Sequence, residues 1–325
     1  RHTRRNGCPP PRVPPTYHLG RNYFRDDVVR PDAVIRVVLL GWLAAILCGC
    51  SKPAGEAPPA VSHQRIVTLA PNLTEMVFAV GAGAELVGVS AWSDYPQAAL
   101  ELPVVGNAFS IDQERLALLK PDLLLVWDSG TPLHTVDKLR QSGYRVEAIK
   151  TRGLADISAA MRRIGQLTGR ESAAEIAAQD FAAALRKLKL SHSAAAPIDV
   201  FFQVSARPLY TINRQHYVSE LIEVCGGRNV FADLDGLAPA VSAESIVDRD
   251  PEVMLASSDA GDDAFDQWQR WPELRANRYR NLFLLPADHI ARATPRLILA
   301  GDAMCTALEQ ARRNRAAADA EKARS

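Results

Sequence analysis

Two runs in the chain, Leu123-Leu124-Leu125-Val126 and Val253-Met254-Leu255-Ala256, are apolar at every position rather than at alternate ones. A strand of that kind has no solvent face, so it belongs inside a parallel sheet with helices on both sides. Further strand candidates lie at 65–69, 86–89, 146–149, 200–203 and 282–285, with helical patterns between them. Such βα alternation predicts an α/β fold built on parallel sheets. Asn72 with Glu75 three residues on reads as a capping box opening a helix, which Gly81 and Gly83 close. Thr294-Pro295 reads as the cap and first turn of the last helix.

From 154 to 190 the pattern changes. Ile157, Met161, Ile164 and Leu167, then Ile176, Phe181, Leu185 and Leu188, recur at helical spacing in Ala-rich sequence without Pro. Gly169 breaks this stretch once. The chain therefore divides into an N-terminal α/β lobe (64–152), a helical connector (153–196) and a C-terminal α/β lobe (197–312), with 313–325 expected to be a disordered tail. An internal echo supports two equivalent lobes. Glu114 and Glu244 each stand seven residues before a Pro, and an acidic residue and an apolar strand follow each Pro. Each half alone is an ordinary helix-to-strand turn; the shared Glu, acid and apolar positions favour a true repeat.

The compartment is read from the N-terminus. Arg36 precedes an apolar run of signal-peptide length ending in Leu47-Cys48-Gly49-Cys50. The run is short of the roughly 20 residues needed to span a bilayer. Its end resembles the lipobox of bacterial lipoproteins, so 34–50 is expected to be a lipoprotein signal peptide, with Cys50 lipidated and at the mature N-terminus. Residues 51–63 are small and Pro-rich, as suits a flexible tether. Residues 1–33 fit neither part and are expected to be a mis-assigned upstream extension. The formal net charge is +1, and no basic stripe occurs in the body, so no nucleic-acid partner is expected. Of five cysteines only Cys225 and Cys305 fall in the body. Neither has metal-site spacing, and one long-range disulfide stays open if the compartment is oxidising.

Several segments resemble the periplasmic cobalamin-binding proteins of ABC importers, the BtuF type within the helical-backbone solute-binding superfamily. They are Arg65-Ile66-Val67-Thr68-Leu69-Ala70-Pro71-Asn72, Ser93-Asp94-Tyr95-Pro96, Leu119-Lys120-Pro121-Asp122, Val224-Cys225-Gly226-Gly227-Arg228-Asn229 and Arg292-Ala293-Thr294-Pro295. The similarity spans about 65–308. It implies two Rossmann-like lobes joined by a long rigid connecting helix, with the ligand in the cleft between them. It places Trp92, Phe109, Trp127 and Tyr210 among the ligand-facing aromatics, and Asp288 and Arg292 among the polar cleft residues. Any one of these aromatics alone reads equally as core packing. Trp127 is singled out because it ends an apolar strand, the edge where open α/β sheets bind ligands. Three positions depart from the pattern: Phe109 stands in place of Trp, and Ala238 and His289 stand in place of aromatics. A less stacked pocket and a related corrinoid follow; His289 could ligate cobalt, but a polar rim residue is the simpler reading.

The resemblance also implies that Cys225 and Cys305 pair as a disulfide. Glu114 and Glu244, matched in the repeat with one on each lobe, are expected to dock on an ABC permease dimer, which works with ATPase subunits and whose patches the resemblance implies are rich in Arg; either Glu alone reads as a first-turn helix residue favoured by the dipole. The expected function is the solute-binding receptor of that importer, carrying cobalamin as transported ligand and using no cofactor. The body is expected to be monomeric and lipid-anchored on the periplasmic side of the envelope. An iron-siderophore or haem binder of the same superfamily stays open, with Arg207, Arg214 and Arg292 as its candidate contacts. A zinc or manganese receptor would need clustered His, and His134, His192, His216 and His289 are dispersed. No G-x-S-x-G, H-E-x-x-H or P-loop points to an enzyme.

Overall fold

A computed structural model describes residues 64–324. The upstream extension, the signal peptide with Cys50 and the tether lie outside the described residues. In chain order the first lobe comprises β1 (Ile66–Thr68), α1 (Pro71–Ala79), β2 (Leu86–Gly88), α2 (Gln113–Leu119), β3 (Leu123–Trp127), α3 (Leu133–Gln141) and β4 (Val146–Ile149). Two helices follow, α4 (Leu154–Thr168) and α5 (Glu171–Ser191). The second lobe begins with β5 (Ile198–Gln203), the short strands β6 (Ser205–Ala206) and β7 (Leu209–Tyr210), α6 (Tyr217–Val224) and β8 (Gly227–Asn229). It continues with α7 (Ala243–Arg249), β9 (Val253–Ser257), α8 (Arg275–Arg278), β10 (Leu282–Leu285), α9 (Ala287–Ile290) and α10 (Leu297–Lys322).

All the main strands pair in parallel. The first sheet runs β2-β1-β3-β4 and the second β10-β9-β5-β8. With β5, β8, β9 and β10 matched to β1 to β4, the two orders are the same topology. The repeat extends to detail. The helices α2 and α7 have seven residues each, open on a side-chain cap (Asp112 accepting from the Arg115 N–H, Ser242 from that of Ser245) and close on left-handed residues, Lys120 at φ 45° and Asp250 at φ 42°.

The apolar-throughout strands are buried on both faces, and alternate residues enter different cores. Val67, Leu124 and Val126 pack under α2 and α3 with Leu116, Val136 and Leu139. Phe201, Met254 and Trp268 form the matching outer core of the second lobe. Ile66, Leu123 and Leu125 face inward instead. They join one continuous cluster that passes through Ile157, Met161, Ala174 and Phe181 of the connector to Val200, Val253 and Leu255 of the other sheet. The lobes thus share a core. Gly169, at φ 66°, divides the connector into two helices that fold back on each other. Ser158 Oγ donates to the Ala178 carbonyl at 3.1 Å, Arg162 pairs with Glu175 at 2.6 Å, and no room remains for a Cβ on Gly165, whose neighbour is the Ala174 methyl.

The structure corrects three local expectations. The first helix has no capping box: its N-cap is Ala70 with Pro71 following, and Asn72 turns to the Thr151 hydroxyl at 3.4 Å. The last helix begins at Leu297, past Thr294, whose buried hydroxyl has no partner among the described residues. The expected disordered tail, 313–325, is helical to Lys322. It is held by side-chain bonds that composition does not reveal: Arg312 donates to the Ala196 and Cys225 carbonyls, Asn314 to Asn281, and Arg315 to Glu252.

Candidate functional site

In each sheet the order reverses beside the first strand, and ligands of open α/β sheets bind in the crevice that this reversal leaves at the carboxyl ends of the strands. At that place in the first sheet lies a cavity of about 490 Å³. Its walls are segment 69–71 after β1, segments 90–92 and 107–109, and Trp127, Ser129 and Gly130 at the end of β3. Three aromatics expected at a ligand site, Trp92, Phe109 and Trp127, therefore come together here. Trp92 and Phe109 are 70% and 79% exposed, so neither ring is core packing.

Local structure aims each ring. Phe109 follows an Asx turn in which Asn107 Oδ1 accepts from the amides of Phe109 and Ser110, both at 2.9 Å. Trp127 lies against Gly130, where an added Cβ would come within 1.9 Å of the indole ring. Its indole N–H is buried without a partner among the described residues. Trp92 sits at φ 63°, in the left-handed region a bulky residue rarely occupies.

Arg292, from the turn between α9 and α10 of the second lobe, reaches this wall. Its Nη2 donates to the Trp92 carbonyl at 3.0 Å and to Asp94 Oδ2 at 3.0 Å; its Nη1 donates to Glu75 at 3.0 Å and to Asp94 Oδ1 at 2.5 Å. These bonds use both terminal nitrogens of the expected ligand contact. They push the guanidinium pKa up, with the Asp94 bond the largest cause, and hold the Asp94 carboxyl below its usual range. Glu75 also accepts from Arg296 at 2.9 and 2.6 Å, and the Arg296 guanidinium lies 3.8 Å from the centre of the Tyr95 ring. Sequence reasoning misses Glu75 and Arg296 as site neighbours; the Glu75 spacing from Asn72 points to a helix cap instead.

Tyr210 and Asp288 are on the second lobe and do not line this cavity. Tyr210 pairs with Ser205 in the β6-β7 ribbon and bridges to Ala240, and Asp288 is exposed on α9. Ala238, also exposed, lies in the loop beside Tyr210, and His289 is half-buried on α9. A larger cavity of about 690 Å³ lies elsewhere, among α4, α5 and α6, with an apolar floor of Leu154, Phe181 and Leu185. It touches neither sheet edge and none of the exposed aromatics, so the smaller cavity is the candidate site.

Glu114 and Glu244 are exposed in the first turns of α2 and α7, at matching places in the repeat. Cys225 and Cys305 form a disulfide joining the end of α6 to α10, as the resemblance implies.

Residues 66–289 match the profile of the periplasmic binding protein family. The vitamin B12-binding protein of Vibrio cholerae serotype O1 is 36% identical over 251 residues, covering 77% of this chain and 91% of that protein. Among solved structures, the periplasmic vitamin B12 binding protein BtuF of Vibrio cholerae superposes with a TM-score of 0.69 at 36% identity, over 77% of this chain and 98% of that one. The periplasmic haem binding protein HutB of Vibrio cholerae superposes with a TM-score of 0.65 at 22% identity, over 76% and 99%, a likeness of fold alone.

Proposed function

The chain belongs to the periplasmic binding protein family, and on that premise we propose that it is the solute-binding receptor of an ABC importer for cobalamin or a related corrinoid. One observation carries the choice of ligand. Trp92, Phe109 and Trp127 gather at the strand-order reversal of the first lobe, two of them largely exposed. A corrin is a broad flat ring with amide arms, and exposed rings beside polar groups suit it. The buried indole N–H of Trp127 is a donor that an amide carbonyl can satisfy. Asp288 and Tyr210 supply the facing lobe, with Ala238 and His289 leaving that side less stacked. The protein returns its ligand unchanged, so no turnover accompanies binding.

In the same reading Glu114 and Glu244 present one carboxylate from each lobe to the two halves of the permease dimer, which the ATPase subunits drive. Cys50 carries lipid and tethers the receptor to the periplasmic side of a membrane. Intact mass of membrane-extracted protein tests the anchor: an unmodified Cys50, or a mature N-terminus upstream of it, removes it from the proposal.

The central experiment is an absorption spectrum of the purified protein after incubation with cyanocobalamin and desalting, run in parallel with haem and a ferric siderophore. Retention of the corrinoid spectrum alone supports the proposal. Retention of haem or siderophore with no corrinoid moves the assignment to that branch of the fold.

A further inference from the structure

We propose that Glu75 and Asp94 are positioning residues of the ligand cleft: between them they hold the Arg292 guanidinium beneath the Trp92 backbone, and so set the aromatic wall of the first lobe from the second. The inference rests on the reading of that cavity as the solute site.

The bonding is arranged for this task rather than for the helix that carries Glu75. The Glu75 side chain is only 2% exposed and makes no local cap. Its partners, Arg292 and Arg296, lie 217 and 221 residues away on the other lobe. Asp94 takes both terminal nitrogens of Arg292, in the bidentate geometry that fixes a guanidinium plane. With the plane fixed, Nη2 is aimed at the Trp92 carbonyl, 3.0 Å away. Trp92 is the residue that needs holding: it is largely exposed, and its φ of 63° persists only where surrounding structure imposes it. Arg296, lying against Tyr95, closes the cluster from below. A buried carboxylate between guanidiniums contributes little stability that apolar packing could not supply. Geometric definition of the wall is what these residues add.

The test uses the full chain labelled with 5-fluorotryptophan, with the Trp92 resonance assigned through Trp92→Phe. Glu75→Gln and Asp94→Asn are compared with the parent well below their melting temperatures. Both variants are expected to shift or broaden the Trp92 fluorine resonance while those of Trp268 and Trp271 stay in place, and to weaken cyanocobalamin binding about tenfold. If the melting temperature falls but the Trp92 resonance and the affinity match the parent, the cluster only joins the lobes and the proposal is overturned. An unchanged affinity in a parent that binds overturns it whatever the resonance does. Should Glu75→Gln fail to fold, Asp94→Asn decides alone, because Asp94 is exposed and contacts both nitrogens. If the parent binds no corrinoid yet the Trp92 resonance responds, the solute assignment falls and the positioning stands.

Discussion

Single side chains give two expectations. Trp127 closes the cavity at the end of β3, braced by Gly130, and is the most enclosed of the three gathered aromatics. Trp127→Ala is expected to weaken corrinoid binding by about 1–3 kcal/mol, as loss of a central aromatic anchor does; unchanged affinity in a fluorescence titration would place the ligand elsewhere. His216 caps α6, its Nδ1 accepting from the Val218 N–H at 3.2 Å, so that nitrogen must stay unprotonated. Burial pushes its pKa from 6.5 down to about 4. Between those values the unfolded chain binds the proton that the folded protein refuses. The stabilisation is complete above pH 6.5 and is lost as pH falls towards 4, by at most roughly 3 kcal/mol. Urea midpoints measured across that range should decline less in His216→Asn, which keeps a capping acceptor; equal slopes in both proteins rule the histidine out as the cause. At this scale the sequence is legible only in part. Trp92, Phe109 and Trp127 come through the resemblance, and Trp127 also through its place at a strand end. Glu75 reads as a cap because a Glu three residues after an Asn satisfies a local rule, and nothing in the spacing reveals a partner over 200 residues away.

Among elements, strands are the most readable. The runs at 123–126 and 253–256 carry no polar residue because helices cover both faces of each sheet, whereas a strand with one wet face would alternate. Gly227–Asn229 escapes notice as a strand, since a three-residue edge strand of Gly, Arg and Asn has no apolar periodicity to show. The tail past 312 misleads because an Ala- and charge-rich end looks the same whether it is a docked helix or free. The disulfide ties α6 to α10 across 80 residues of chain. Replacing Cys225 and Cys305 together by Ala is expected to lower stability by up to about 4 kcal/mol, the chain-entropy figure for such a loop; a melting temperature insensitive to both mutation and reductant would contradict that. The matched helices α2 and α7 make a separate prediction. Glu114→Lys with Glu244→Lys should leave corrinoid affinity unchanged and abolish transport in vesicles reconstituted with the importer, since like charges then meet at the docking patches. Full transport by the double variant refutes docking through these residues.

At the scale of the molecule, the shared core sets how far the lobes can move. The connector helices α4 and α5 pack against α1 of the first lobe and α6 and α10 of the second within one apolar cluster, and the Glu75–Arg292–Arg296 cluster crosses between lobes. Opening by a large hinge would break both, so ligand is expected to change the distance between spin labels on the two lobes by less than about 2 Å. A shift of many ångströms in pulsed dipolar measurements would show that the connector yields. The same hairpin has a consequence for dissecting the chain. The repeat invites a cut at residue 196, yet that cut would bare the helix faces that now meet across it, where Leu188 of the connector and Leu221 of α6 both lie against Gly301 of α10 within the shared Ile-, Leu- and Met-rich core. Exposed surface of that size drives association. This is a duplicated scaffold whose copies are not interchangeable parts: a gene fragment encoding either half is expected to give a chain that self-associates rather than a smaller receptor.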